Sequence, residues 1–430
     1  MKYKVIGENF KFITADSRET DSETAFVVDW YSAKFEQAAR EKGAAAILQP
    51  SDLARYFDVD LPIVGITGTN GKTTTAALIY SILLDFGYQV AMQGTRGYFM
   101  NGEKLAEKGL TTPMLLDNYA RIAEAKKKGA QFFVTEASSH AIAQGRMAGL
   151  KFALKIHTNI TGDHLDFHGD FETYRAVKNS FFADETPKII NKDDPLVEFN
   201  YANARTYALE NAATFKVEAY SPREGLSGVI SRGTDRAIFA SPLMGRFNLY
   251  NIAAAIAAAA TLLEKPLEAI CDQVENFGGV AGRMEVVSQN PFVIVDFAHT
   301  SDGIEKALEA LLPRKIVALF GAGGDRDKIK RPLMGKAAAR FAARIILTSD
   351  NPRSEDPREI IAQIKAGCEG AIVEIEPDRA LAIRKALQTL SSDEILVILG
   401  KGDETTQEIA GVKYPFSDRE VVLNALKEAK

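Results

Sequence analysis

Residues 63–74 read Ile63-Val64-Gly65-Ile66-Thr67-Gly68-Thr69-Asn70-Gly71-Lys72-Thr73-Thr74. An apolar, largely β-branched run ends in a glycine-rich turn, and the helical pattern TTAALIYSILLDFG follows. Strand, turn and helix in that order form a phosphate cradle. Glycines let backbone amides approach phosphate oxygens, and the helix start adds partial positive charge. Gly68, Thr69, Asn70 and Gly71 supply the loop, and Thr74 continues the helix start. Lys72 is placed to reach the terminal phosphates and the Thr73 hydroxyl to ligate Mg2+. The eight-residue form of this loop has glycine where Ile66 stands, so the match is to a GTNGKT variant. The expected ligand is ATP.

Working outward, further buried-strand runs occur at 131–135, 154–159 and 188–191, with helical stretches between several of them. A second series follows at 292–297, 315–320, 344–348, 371–375 and 394–399, separated by helices such as 304–312 and 336–343. This alternation predicts an α/β protein with parallel sheets covered on both faces. The first sixty residues read as a small α/β unit, with a strand at 24–29 and a helix at 34–42. Three domains are expected: an N-terminal one (1–60), a central P-loop ATPase-type parallel sheet (61–285) and a C-terminal Rossmann-like domain (286–430).

The chain has 430 residues, 46% of them hydrophobic and 25% charged, the balance of a globular protein with several cores. Lys plus Arg number 52 against 57 Asp plus Glu, a net charge of −5, which argues against a general nucleic-acid or anionic-membrane binder. The two cysteines, Cys271 and Cys368, exclude a disulfide scaffold and fit a reducing cytoplasm. The longest apolar run, 252–263, falls short of the ~20 residues a membrane-spanning helix needs. A cytoplasmic monomer is expected.

Four of the five histidines, His140, His157, His164 and His168, fall close together in sequence. Glu136 ends one strand run, and Asp163-His164-Leu165-Asp166-Phe167-His168 follows another. Ligands of open α/β sheets gather at such carboxyl ends. Glu136 and His164 are therefore candidates to ligate one or two Mg2+ ions. A zinc site from His164, Asp166 and His168 is the competing reading, and His140 and His157 read as packing residues. Lys178, on a helical stretch at 172–182, reads by itself as a solvated surface lysine.

The motifs GTNGKTTT, LTTP (110–113), EASSH (136–140), TNITGDHLDFHGDFETYRAVK (158–178), GRFNLYN (245–251), GRME (282–285), DFAHTSD (296–302) and GAGGDRDKIKRPLM (321–334) occur in one order. Together they resemble the Mur ligases of peptidoglycan synthesis, in particular the branch that adds the third amino acid. The resemblance covers roughly residues 14 to 420. It implies an N-terminal domain for the UDP moiety, a central ATPase domain and a C-terminal domain receiving the amino acid. The implied reaction joins a diamino acid to UDP-MurNAc-L-Ala-D-Glu, using ATP and passing through an acyl phosphate.

The resemblance also assigns residues. Lys178 matches the lysine that is carbamylated in the family, giving the metal set Thr73, Glu136, His164 and Lys178, with Lys72, Lys178, His164 and Glu136 catalytic. Asn248, Asn251, Arg283, Asp296 and His299 match nucleotide-proximal motifs. Ser17 resembles the UDP-binding serine. Thr111, Thr112, Ser138, Gln144 and Arg146 resemble residues that grip the muramoyl dipeptide, although Gln144-Gly145-Arg146 by itself reads as exposed helix surface. Asp350-Asn351-Pro352-Arg353 resembles the version selecting meso-diaminopimelate, with Arg326, Gly400 and Glu404 as further contacts. An arginine there suits a distal carboxylate that L-lysine lacks.

Three departures from the family pattern stand out. Asp403 replaces a histidine in Gly400-Lys401-Gly402-Asp403-Glu404, and Gly162 stands where a long residue is usual. Asp29-Trp30-Tyr31-Ser32 replaces a glycine- and histidine-containing loop, leaving Trp30 and Tyr31 as either base-stacking or core aromatics. Rival readings are a folylpolyglutamate- or cyanophycin-synthetase-like ligase, a ligase adding L-lysine or another diamino acid, and a non-catalytic nucleotide-binding scaffold.

Overall fold

In the computed structural model, which describes residues 2–6, 9–223 and 225–428, the chain divides into two units. The first runs to Ala219 and adds Gly228–Phe239 and Tyr250–Phe277; the second holds Tyr220–Ser227, Ala240–Leu249 and the chain from Gly278 onward.

Ile63–Thr67 is a strand with every residue buried, as its unbroken apolar character predicts. Among the described residues it belongs to an eleven-stranded sheet. Its neighbours on either side are Phe152–His157 and Phe132–Glu136, both parallel to it. The parallel run continues through Lys188–Asn191 and Ala204–Ala208 on one side and Val90–Gly94 on the other. Two antiparallel strands, Gly97–Met100 and Glu103–Ala106, extend that second side. The carboxyl ends of three adjacent central strands thus deliver the phosphate loop, Thr158 with Asn159, and Glu136 to one edge.

A smaller sheet in the same unit pairs Tyr3–Lys4, Phe12–Thr14, Thr24–Val27 and Ala46–Leu48. Its core residues Ile13, Ala25, Val27 and Leu48 share one cluster with Leu115, Leu116 and Tyr119 of the helix Leu115–Lys127.

The second unit is built on a six-stranded sheet, in spatial order Glu285–Gln289, Phe292–Asp296, Glu394–Leu399, Lys315–Phe320, Arg344–Leu347 and Val373–Ile375. All its pairings but the first are parallel. Side chains alternate across the pleat. Ile294, Ala318, Ile345 and Val397 pack on one face, Val295, Val317, Ile346 and Leu396 on the other. Helices Ser301–Glu309, Lys330–Ala339 and Pro357–Lys365 cover the first face while the chain advances across the sheet. Arg379–Thr389, which returns it to the middle, covers the second. Right-handed crossovers require that change of face when the direction reverses.

The apolar run 252–263 lies largely within the buried helix Arg246–Leu262. No helix among the described residues is long and apolar enough to cross a membrane. Strand pairs such as Thr406–Ile409 with Val412–Pro415 were not predicted, because their mixed and exposed side chains carry no buried-strand signal.

Candidate active site

Gly71 opens the helix Lys72–Asp85 in the left-handed region (φ 86°), and a side chain there would meet Asn251 Oδ1 at 2.3 Å. Neighbouring strand ends hold the loop from outside. Thr69 N donates to the Asn159 carbonyl at 2.7 Å, Asn70 N to Asn159 Oδ1 at 2.9 Å, and Thr158 Oγ1 to the Asn70 carbonyl at 2.6 Å. Lys72 Nζ folds back onto the carbonyls of Gly68 and Thr69, at 2.8 and 3.0 Å. Thr75 Oγ1 donates to Asn251 Oδ1 at 3.3 Å, which puts Asn251 beside the loop.

Glu136 is buried and collects donors. Thr73 Oγ1 donates to its Oε2 at 3.0 Å, Thr95 N to its Oε1 at 2.9 Å and Thr95 Oγ1 to its Oε2 at 3.1 Å. Lys178 is no surface residue: its side chain is 1% exposed, and Nζ donates to the Gly68 carbonyl at 2.8 Å. Burial, reinforced by the nearby Lys72 charge, pushes its pKa well below the ordinary lysine value.

His164 adopts φ 52°, an uncommon conformation for a non-glycine residue, and its ring meets that of His140 at 4.8 Å between centroids. His140 also packs on Phe167, and His168 on Tyr174, at 4.2 and 5.3 Å. His157 is wholly buried, with burial pushing its pKa down to about 3. Among the described residues, no group of three or more His, Cys, Asp and Glu could hold a metal ion, which disposes of the zinc trio His164, Asp166 and His168.

The residues matched to dipeptide binding converge. Thr112 Oγ1 donates to the Glu136 carbonyl at 2.8 Å and accepts from Ser138 N at 3.0 Å. Arg146 Nη1 donates to the Thr112 carbonyl and its Nε to Gln144 Oε1, both at 2.9 Å. The Thr111 and Thr95 hydroxyls lie 3.3 Å apart. Gln144 and Arg146 are buried, not the exposed helix surface their local sequence suggested.

Ser17 sits elsewhere in this unit, in the turn Ser17–Glu19 that follows the strand Phe12–Thr14. Trp30 and Tyr31 follow the parallel neighbour Thr24–Val27 and lie outside the core, 56% and 42% exposed. Asp29 Oδ1 accepts from Tyr31 N and Ser32 N at 2.9 and 2.8 Å, fixing that turn.

In the second unit, Asp296 is buried and accepts from Met284 N and Ala298 N, both at 2.7 Å, while burial raises its pKa. Arg283 stacks over the Phe297 ring at 4.3 Å, and His299 Nδ1 lies 3.0 Å from the Phe297 carbonyl. Asn248 Nδ2 donates to the Met244 carbonyl at 2.7 Å.

The segment Asp350–Arg353, the loop carrying Arg326, and Gly400–Glu404 all leave the carboxyl edge of the six-stranded sheet. Sequence reasoning missed three residues that organise this edge. Lys401, fully buried, donates to Glu404 Oε2 at 2.7 Å and Asn351 Oδ1 at 3.1 Å. Arg331 makes a paired contact with Glu355 at 2.8 and 2.9 Å, and Glu355 Oε1 accepts from Asp325 N at 2.6 Å. Arg379, fully buried, pairs with Asp418 through two 2.7 Å bonds and donates to the Leu399 carbonyl at 2.9 Å. A basic residue three before an acidic one, as in Lys401 and Glu404, was the available signal for the first. The other two pairs are distant in sequence.

The sequence pattern of the Mur ligase middle domain matches residues 66–259, and that of the Mur ligase glutamate ligase domain residues 282–402. The chain is 53% identical over 426 residues to the UDP-N-acetylmuramoyl-L-alanyl-D-glutamate–2,6-diaminopimelate ligase of Wolinella succinogenes, covering 98% of each. It is 49% identical to the enzyme of the same name from Helicobacter pylori, covering 98% of this chain and 95% of that one. A solved structure bearing that name superposes with a TM-score of 0.68 at 31% identity, over 97% of this chain and 94% of the other.

Proposed function

The chain belongs to the Mur ligase family, and from that premise we propose that it adds meso-diaminopimelate to UDP-MurNAc-L-Ala-D-Glu, with ATP as the energy source, in peptidoglycan synthesis. The observation that carries the reading is the convergence of Thr73, Glu136 and Lys178 on the phosphate loop, in a chain that matches the diaminopimelate-adding ligases from end to end.

A carboxylate is a poor electrophile, so activation comes first. An oxygen of the D-Glu γ-carboxylate takes the terminal phosphoryl group of ATP, and ADP leaves. The amine of the diamino acid then attacks the carbonyl carbon, phosphate departs, the nitrogen loses a proton and an amide remains. Two anions meet in the first step, and fixed positive charge lowers its barrier. Lys72 supplies that charge by exchanging its loop carbonyls for phosphate oxygens.

The donors suit a hard cation: a buried carboxylate and a threonine hydroxyl already in contact. Thr73, Glu136, His164 and Lys178 would hold up to two Mg2+ ions, which neutralise phosphate charge. Lys178 fits as a carbamate, since a buried amine favoured in its uncharged form adds to CO2 and releases a proton. Thr111, Thr112, Ser138, Gln144 and Arg146 would orient the muramoyl dipeptide, and Arg353 the distal carboxylate of the diamino acid. The working form proposed is a cytoplasmic monomer.

Phosphate release and tripeptide formation, measured with UDP-MurNAc-L-Ala-D-Glu, ATP, Mg2+ and bicarbonate, test the proposal. Product is expected with meso-diaminopimelate and not with L-lysine. Efficient lysine use overturns the amino-acid assignment, and silence with both overturns the ligase reading. Arg353→Ala should raise KM for diaminopimelate about 100-fold or more while leaving KM for ATP alone.

A further inference from the structure

Asn118 shares the buried face of the helix Leu115–Lys127 with Leu115, Tyr119 and Ile122, and is itself fully buried. An amide in such a place is costly unless its hydrogen bonds are made. Its Nδ2 donates to the Pro113 carbonyl at 3.0 Å and to the Arg146 carbonyl at 2.8 Å, and its Oδ1 accepts from Gln93 Nε2 at 2.5 Å. Gln93, buried in the strand Val90–Gly94, also donates to Thr135 Oγ1 at 3.2 Å. The next residue of the helix, Tyr119, donates through its hydroxyl to the Ala148 carbonyl at 3.0 Å.

These bonds close a circuit. The Arg146 side chain reaches the Thr112 carbonyl at 2.9 Å, while the Arg146 carbonyl is held by the same amide that holds Pro113. Two segments distant in sequence, 112–113 and 144–146, are thereby fixed to one another through a side chain that belongs to neither. Gln93 sets the direction of that side chain. With Oδ1 engaged by Gln93 Nε2, both hydrogens of Nδ2 face the two carbonyls. Gln93 Oε1 is buried without a partner among the described residues, and an acceptor left in that state costs stability. An apolar residue in place of Gln93 would avoid that cost, so stability does not account for the amide pair. Alignment of the two segments does.

We infer that Asn118, oriented by Gln93, is a positioning residue for the muramoyl dipeptide, fixing the separation of Thr112 from Arg146 before the substrate arrives. This role rests on the ligase reading above, which sets those two residues against the dipeptide. Order already present in the folded chain is not lost again on binding, so the amide contributes to affinity without touching the ligand. The phosphate loop has its own supports in Thr158, Asn159 and Asn251, and nucleotide binding is therefore independent of Asn118.

Asn118→Leu keeps roughly the side-chain volume and removes both donors. KM for UDP-MurNAc-L-Ala-D-Glu should rise about tenfold, the worth of a buried hydrogen bond, and so should the dissociation constant measured by calorimetry with that substrate alone. KM for ATP should stay within about twofold. Gln93→Leu leaves the donors in place but frees their direction, and it should move the same two constants the same way by about threefold; it carries the test alone if Asn118→Leu does not fold. An unchanged dissociation constant overturns the inference, and so does an equal rise in KM for ATP, the sign of a general loss of structure. A native chain that does not bind UDP-MurNAc-L-Ala-D-Glu overturns the ligase reading itself, an outcome seen before any variant is made.

Discussion

The side-chain Nζ of Lys178 donates to the Gly68 carbonyl at 2.8 Å, tying the helix Phe171–Ser180 to the first glycine of the phosphate loop. Burial first, and the Lys72 charge second, disfavour its protonated form. Lys178→Arg places a permanent cation there and cannot become a carbamate. It should cut kcat by about 100-fold or more and lack the carbamate signal that the proposed function predicts for the native protein in 13C-bicarbonate by NMR. An unaltered rate in that variant would remove Lys178 from the mechanism.

Gly94 lies against Glu136: a Cβ at that position would stand 2.1 Å from Oε1. Gly94→Ala should displace the carboxylate from Thr73, costing about 1–3 kcal/mol of stability through overpacking. Turnover should fall more than nucleotide affinity, because the loop itself is untouched. Calorimetric titration with ATP beside steady-state kinetics separates the two, and a matched loss would argue against a distinct role for Glu136.

Arg379 and Asp418 form a fully buried, doubly hydrogen-bonded pair behind the strand ends that carry Asp350 and Gly400. Removing one partner strands a charge in the core. Arg379→Met or Asp418→Leu alone should lose about 3–5 kcal/mol in urea denaturation, and the double variant should recover much of it. Additive losses would contradict this account.

The Arg331 guanidinium holds the Glu355 carboxyl down at about 2, against its ordinary 4.5. A depressed carboxylate contributes its full stability above pH 4.5 and loses it as pH falls from there through about 2. Glu355→Gln should therefore lower the melting temperature at pH 7, with the gap to the native protein closing toward pH 3. A constant gap across that range would refute the linkage.

Much of the architecture was legible locally. Ile63–Thr67, Lys188–Asn191, Lys315–Phe320 and Glu394–Leu399 have the predicted bounds, because strands buried on both faces read as unbroken apolar runs. The edge segments Glu103–Ala106 and Val412–Pro415 were silent, since much of their surface faces water and no pattern distinguishes them from loops. Trp30 and Tyr31 show the same limit: two aromatics suggested core or ligand equally, and their exposure removes the core reading.

By itself the sequence determined the parallel α/β class, the phosphate loop, the family and the Asp350–Arg353 segment. These depend on side-chain period and on residues adjacent in the chain. Only the tertiary structure decided that Lys178, Gln144 and Arg146 are buried, that Glu404 is neutralised by Lys401, and that Glu408 stands beside Arg353. Burial and charge pairing arise when distant strands are laid side by side. A lysine's solvent, and with it its chemistry, is set by neighbours its own stretch of sequence does not contain.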